Sequence, residues 1–248
     1  MGLTAFTVSV NYSDFLAITL PKNKIHFDDY WIITSLEDEA TVNLCKKLDI
    51  KCIQTDIFTY NGAVFNKGGA YNVALSIYKD NDWICILDSD IYLPDNFRQI
   101  FNEECNDIEC LYSSQRIDFP KADDWREYLK DPSYIKKMRT YRGIGYGYLQ
   151  IFNFRSMVVL HQLMKGFQQY VDVYPQGPTA AEGDWIFRNY WSDWIFDPPL
   201  DNNPDLHEKP HNDRAANPKK LKNLPLKVFH LGETGQNDKG RKTEKWEI

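Results

Sequence analysis

The chain has 248 residues and a hydrophobic share of 43%, which is normal for a globular protein and allows one substantial core. Its net charge of −6 and pI of about 5.4 are far from those of a dedicated nucleic-acid-binding protein. Five cysteines without a CxxC pair argue against a zinc or disulfide framework and favour a reducing compartment.

Strand and helix signals alternate through the first hundred residues. The predicted strands are 6–10, 30–34, 50–54 and 83–87, and the predicted helices are 15–20, 39–48 and 69–78. This alternation predicts an α/β fold with a Rossmann-like, mostly parallel central sheet and helices on both faces. Ligands of such sheets bind at the carboxyl ends of the strands.

The pattern changes after Pro94. Strands are predicted at 111–114, 148–154, 194–196 and 228–230, helices at 157–165 and 184–190, and a proline- and asparagine-rich loop at 198–225. No linker divides the chain, so one domain is expected over 1–232, with a first half at 1–97 and a second half at 98–232. The glycine- and aromatic-rich segment 141–148 lies in the second half.

The charge is unevenly distributed. Residues 209–245 carry ten Lys and Arg against four Asp and Glu, whereas the chain before them is acidic. A basic, mobile tail is therefore expected at 233–248. This tail either contacts an anion or is simply solvated. No stretch approaches the length of a membrane span and the first residues do not resemble a signal peptide, so a cytoplasmic protein is expected.

Asp88 and Asp90 directly follow the apolar strand predicted at 83–87. Two carboxylates one residue apart at the end of a strand can both reach a hard divalent cation, such as Mn²⁺ or Mg²⁺, whose remaining ligands come from substrate phosphates. The alternative is a solvated acidic turn.

Asn66 and Lys67 stand at the start of the third predicted helix, before Gly68 and Gly69. Two glycines at a loop-to-helix junction permit close backbone approach, and a helix N-terminus favours negative charge. Lys67 adds a point charge suited to a phosphate or a ribose hydroxyl. An ordinary glycine turn before an amphipathic helix is the alternative.

The order FNKGGAYNVAL and then WICILDSDIYLP resembles the nucleotide-binding half of GT-A glycosyltransferases, especially family 2 and galactosyltransferase-like groups. The resemblance implies that Asp88 approaches the ribose and the metal, and that Asp90 ligates the metal. More loosely, it places four further residues near the nucleotide base: Asn11, Tyr12, Glu37 and Asp38.

Three later segments fit the same resemblance. Asp184, with Glu182 as the alternative, stands where inverting members carry a base that opens a helix, although Gly183 between the two acids departs from that pattern. His230 resembles a histidine that completes the metal shell. Arg241 and Lys242 would then meet the diphosphate in a lid that carries His230 to the metal. Acids that stabilise a helix N-terminus, a structural histidine and a solvated tail are the alternatives.

The resemblance therefore implies a metal-dependent transferase that moves a sugar from a nucleoside diphosphate donor, expected to be a UDP-sugar, to a hydroxyl acceptor with inversion. The acceptor stays open among a glycan, a protein, a small molecule and DNA. One alternative is a sugar-phosphate nucleotidyltransferase, although residues 10–14 lack the glycine- and basic-rich loop of that class. The other is a binding module for carbohydrate or nucleic acid without catalysis.

Overall fold

A computed structural model of the protein describes residues 1–78, 83–141, 147–156, 184, 187–188, 191, 220–232 and 246. The helix predicted at 157–165, the strand predicted at 194–196 and most of the loop predicted at 198–225 lie outside these residues. Glu182, Arg241 and Lys242 lie outside them as well.

The first half of the chain forms the parallel part of one sheet. Its strands are β1 (Leu3–Val8), β2 (Asp29–Ser35), β3 (Lys51–Thr55) and β4 (Trp83–Leu87), in the spatial order β3-β2-β1-β4 and parallel throughout. The helices between them are α1 (Ser13–Asn23), α2 (Glu39–Leu48) and α3 (Lys67–Ile77). Each helix returns the chain to the starting edge, so the loops after β1, β2 and β4 lie at one edge of the sheet.

The second half extends this sheet with antiparallel and parallel pairs. Its elements are β5 (Ile91–Tyr92), α4 (Phe97–Glu104), β6 (Leu111–Phe119), α5 (Ala122–Lys130), β7 (Arg139–Tyr141), β8 (Leu149–Asn153) and β9 (Leu221–Leu231). Strand β8 pairs antiparallel with β4 and β6, while β9 lies between β6, to which it is parallel, and β5, to which it is antiparallel. The predicted α/β class with a Rossmann-like set of parallel strands is confirmed. The strands of the second half make the whole sheet a mixed one.

Strand β9 corrects two expectations. Residues 221–225 belong to this strand and not to a loop, and the strand predicted at 228–230 is the end of a much longer element. The β6–β9 pairing shifts register between Ser113 and Gln115, opposite a stretch of β9 that contains Pro225. Proline has no N–H to donate to a ladder, so a strand tolerates it at such an irregularity.

Two apolar clusters cover the two faces of the sheet, and a third, mostly aromatic cluster lies around Phe119, Trp125 and Phe229. Trp246 joins this third cluster: its ring centroid lies 5.1 Å from that of Phe15, and its backbone N–H donates to Asp14 Oδ2 at 2.6 Å. Trp246 is thus packed against α1, and the expectation of a mobile tail stays a prediction for the other residues of 233–248. No helix in the described part of the chain could cross a membrane.

Candidate active site

The Asp88–Asp90 segment lies at the carboxyl end of β4, as predicted. Its backbone is fixed on two sides, because Asp88 N–H donates to Tyr148 O at 3.1 Å and Leu231 N–H donates to Asp90 O at 2.9 Å. Its two carboxylates differ in exposure: the side chain of Asp88 is 32% exposed and that of Asp90 is 9% exposed. Asp88 is therefore partly exposed, whereas Asp90 is buried.

Lys67 brings two of the predicted site residues together. Its Nζ lies 2.6 Å from Asp88 Oδ1 and 2.8 Å from Asp184 Oδ2, although Asp184 is 117 residues away along the chain. Burial acts to lower the pKa of Lys67, but attraction to Asp184 and Asp88 outweighs it and holds that pKa well above its ordinary value. Lys67 is therefore a permanent buried cation between the two halves of the domain.

Local structure at the start of α3 puts Lys67 in this position. Asn66 caps the helix, since its Oδ1 accepts from Gly69 N–H at 2.9 Å. A Cβ on Gly69 would lie 2.5 Å from Asn66 Nδ2, so the cap needs a glycine there. Lys67 is the first residue of the helix and would be unfavourable beside its positive dipole end without the two carboxylates.

Asp184 is held by the second half of the sheet. Gln150 Nε2 donates to Asp184 O at 3.2 Å, and a Cβ on Gly147 would lie 1.8 Å from Asp184 Oδ2. Residues 184, 187 and 188 are helical, in agreement with the helix predicted there, and the Phe187 ring packs 4.9 Å from that of Phe152. Gly147 therefore provides the space in which the Asp184 carboxylate reaches Lys67.

His230 lies inside β9, with Asp118 of β6 and Ile91 of β5 as its register partners. The expectation that a lid carries His230 to the metal is therefore wrong, because a paired interior strand fixes its backbone. Its Nε2 lies 3.6 Å from Asp90 Oδ2 and its Nδ1 lies 3.3 Å from Asp118 Oδ1. Burial acts to lower the pKa of His230, but Asp90 and Asp118 raise it to about 9.

Sequence reasoning missed Arg116 and Asp118. Arg116 Nε lies 2.9 Å from Asp118 Oδ1, and the guanidinium stacks between the rings of Tyr141 and Tyr148 at 4.9 and 4.8 Å. The only signal in the sequence is that an Arg and an Asp two residues apart share one face of a strand, where charged residues are rarely buried unless paired.

Burial and neighbouring charges give the carboxylates of the site different acidities. Burial and the Asp184 and Asp90 carboxylates raise the pKa of Asp88 to about 6, against the opposing effect of Lys67. Burial acts to raise the pKa of Asp90 too, but His230 and Arg116 outweigh it, so that pKa lies below its ordinary value.

The residues predicted near the nucleotide base lie at the ends of β1 and β2. Asp38 Oδ2 accepts from Asn11 N–H at 2.7 Å and from the hydroxyls of Thr34 and Thr41, so this carboxylate caps α2 and fixes the loop after β1. Glu37 is exposed and Tyr12 is buried beside Phe15. A role of these residues in nucleotide binding stays a prediction.

The arrangement fits a divalent cation bound with help from a substrate. Within the described residues, no three Asp, Glu, His or Cys side chains lie together in a group that could hold a metal ion. Asp90 Oδ1, however, is buried and has no hydrogen-bond partner. The 3.6 Å between Asp90 Oδ2 and His230 Nε2 also suits two ligands of one ion, which lie roughly 3.0–4.2 Å apart when each is about 2.1 Å from the metal.

The sequence matches no protein-family model and no curated protein. Among solved structures, the chain is similar to mannosyl-3-phosphoglycerate synthase from Rubrobacter xylanophilus, with 12% identity, a TM-score of 0.40 and coverage of 62% of this chain and 53% of that one. It is also similar to glucosyl-3-phosphoglycerate synthase from Mycobacterium tuberculosis, with 12% identity, a TM-score of 0.37 and coverage of 61% and 57%.

One structure of the Mycobacterium tuberculosis enzyme contains Mn²⁺, UDP-glucose and glycerol 3-phosphate. The chain spans little more than half the length of these proteins. At this level of similarity, the function of the chain rests on its own residues.

Proposed function

We propose that this protein is a metal-dependent glycosyltransferase that moves a sugar from a nucleoside diphosphate donor to a hydroxyl acceptor. The observation that carries the proposal is the contact of the Lys67 ammonium with both Asp88 and Asp184. It joins the carboxylates after β4 to an acid from the second half of the domain, at the sheet edge where ligands of α/β proteins bind.

The donor half of the site is suited to a diphosphate. Asp90 and His230, together with phosphate oxygens of the donor, would hold a divalent cation, with Asp88 as the predicted third ligand; the cation would neutralise charge on a departing diphosphate. Lys67 stands at a helix N-terminus beside Asp88, and both the ammonium and the helix dipole favour a phosphate there. Because Lys67 is already held by two carboxylates, its charge is fixed in place before the donor arrives.

The acceptor half needs a group that takes a proton, and Asp184 is our candidate. Its side chain is 14% exposed and lies 2.8 Å from Lys67, so it faces the donor half from across the site. In an inverting transfer this carboxylate would take the proton of the acceptor hydroxyl as that oxygen attacks the anomeric carbon. The inversion, Glu182 as the alternative base, and the roles of Arg241 and Lys242 are parts of the same proposal.

Donor turnover without an acceptor gives a direct test. We would measure nucleoside diphosphate release from UDP-, GDP-, CDP- and dTDP-sugars, with Mn²⁺, with Mg²⁺ and with EDTA, and we expect metal-dependent release that is fastest with a UDP-sugar. Asp90→Asn should abolish it, whereas the control Asp123→Asn, at a side chain that is 84% exposed, should not. Absence of release from every donor by folded wild-type protein would overturn the proposal.

The main alternative, a sugar-phosphate nucleotidyltransferase, releases pyrophosphate from a nucleoside triphosphate and a sugar phosphate. The loop after β1 is held by the bond from Asn11 N–H to Asp38, and residues 10–14 supply neither a glycine nor a cation for a triphosphate. Formation of pyrophosphate in the same assay would favour this alternative. Binding of sugars without turnover of any nucleotide would favour the binding module.

A further inference from the structure

Strands β6 and β9 place a second carboxylate behind His230. Asp118 and His230 are direct register partners in this parallel pair, and both side chains are buried. The imidazole is thus flanked by a carboxylate on each nitrogen: Asp118 Oδ1 lies 3.3 Å from Nδ1 and Asp90 Oδ2 lies 3.6 Å from Nε2.

A carboxylate beside one imidazole nitrogen affects how the other nitrogen can bind a ligand. It fixes the orientation of the ring, so the opposite nitrogen is directed at the place that a cation would occupy. Asp118 is the group on the Nδ1 side, and Asp90 of the predicted cation site is on the Nε2 side. The order of the groups is therefore carboxylate, imidazole and cation site.

Arg116 holds Asp118 in turn. The two lie on the same face of β6 with Arg116 Nε 2.9 Å from Asp118 Oδ1, and the guanidinium is fixed between the rings of Tyr141 and Tyr148. Every member of this chain of contacts lies on a paired strand or packs against one. Arg116, Asp118 and His230 are therefore held by the paired strands β6 and β9, and Tyr148 lies in the turn directly before β8.

We propose that Arg116 and Asp118 are positioning residues that turn His230 Nε2 toward Asp90 and so set the strength with which the site binds a divalent cation. This inference rests on the proposed metal-dependent function. Neither residue touches substrate or metal; both act through His230.

Mn²⁺ binding by the full chain in the presence of UDP tests the proposal without turnover. Electron paramagnetic resonance titration gives the affinity, and electron spin-echo modulation reports a directly bound nitrogen. We expect Asp118→Ala to weaken Mn²⁺ binding about ten- to a hundredfold and to remove the nitrogen coupling. Asp118→Asn keeps an acceptor oxygen facing Nδ1 and should retain the coupling with only a few-fold weaker affinity.

Two further variants separate positioning from simple stability. Asp118→Ala leaves Arg116 buried without its carboxylate, so we would also make Arg116→Met together with Asp118→Leu, which removes both charges at once and is expected to fold. This double variant should lose the coupling in the same way. Asp107→Asn is the control, since it breaks the ion pair of Asp107 with Lys222 of the same strand β9 and should leave Mn²⁺ affinity unchanged.

The outcomes are distinguishable. If wild-type protein binds neither Mn²⁺ nor UDP, the proposed function fails. If it binds both but lacks nitrogen coupling, or if the folded double variant keeps wild-type affinity and coupling, the positioning role of Asp118 and Arg116 is overturned while the proposed function stands.

Discussion

The protonation of His230 should make the metal-free protein less stable at alkaline pH. Asp90 and Asp118 raise the pKa of this imidazole from 6.5 to about 9, so the folded state keeps a proton that the unfolded state has lost. The resulting stabilisation is complete below pH 6.5 and disappears as the pH rises through 9.

The pKa difference gives the size of the effect. Each pH unit over which only the folded state holds the proton is worth about 1.36 kcal/mol, so the free energy of unfolding should fall by about 3 kcal/mol between pH 6.5 and 9.5. His230 is only 6% exposed, so solvent screens this contribution little. His230→Gln cannot take up the proton, and its stability should lack this pH dependence.

Urea denaturation in EDTA at half-unit pH steps measures the effect as the difference between wild type and variant. The control is His26→Gln, because burial lowers the pKa of His26 and this imidazole is neutral in both states above about pH 7.5. His26→Gln should therefore keep the wild-type slope, whatever its total stability. If the free energy of unfolding changed with pH in the same way for wild type and His230→Gln, an imidazolium held between Asp90 and Asp118 would be refuted.

Three substitutions test the rest of the site. Asp90→Asn should abolish Mn²⁺-dependent donor binding while the fold persists, and calorimetry that gives unchanged nucleotide-sugar affinity would contradict its role. Asp184→Asn should keep donor binding and lose about 10²–10⁴-fold in transfer rate, and a loss of only a few-fold would move the base to Glu182. Gly147→Ala should force the Asp184 carboxylate away from Lys67, because the new Cβ would lie 1.8 Å from Oδ2. Transfer should then fall as in Asp184→Asn, and the two changes together should cost no more than either alone; additive losses would show that Gly147 acts elsewhere.

Local signals predicted the first half of the fold well. The bounds of β4 and α2 agree with the sequence, since β4 is a continuous apolar run and Asp38 accepts from Thr41 N–H as a helix cap. Helix α4 was missed although Phe97 and Phe101 recur at the spacing of one buried helical face. Helix α5 was missed too, although Trp125, Tyr128 and Leu129 recur at helical spacing; of its residues only Trp125 is buried.

The sequence predicted those residues of the candidate site that belong to strong local motifs. It missed the residues whose surroundings come from distant parts of the chain. Asp88, Asp90 and Lys67 stand beside a buried strand or at a helix start, which the sequence makes visible. The buried charges of Arg116 and Asp118 are tolerable only because Tyr141, Tyr148 and His230 surround them. That environment comes from strands β7 and β9 and the turn before β8. No local pattern in the sequence of β6 predicts it.

Because β9 lies inside the sheet, the contacts of His230 with Asp90 and Asp118 form only when this strand enters during folding. This strand enters between β6 and β5, about a hundred residues after β6 along the chain, and closing so long a loop is slow relative to local pairing. Until it enters, β6 has an open edge, Asp118 faces no imidazole and the carboxylate of Asp90 has no histidine beside it. At the proposed cation site, gain of Mn²⁺ affinity during refolding should therefore coincide with the entry of β9, and Mn²⁺ binding would then report completed assembly of the sheet.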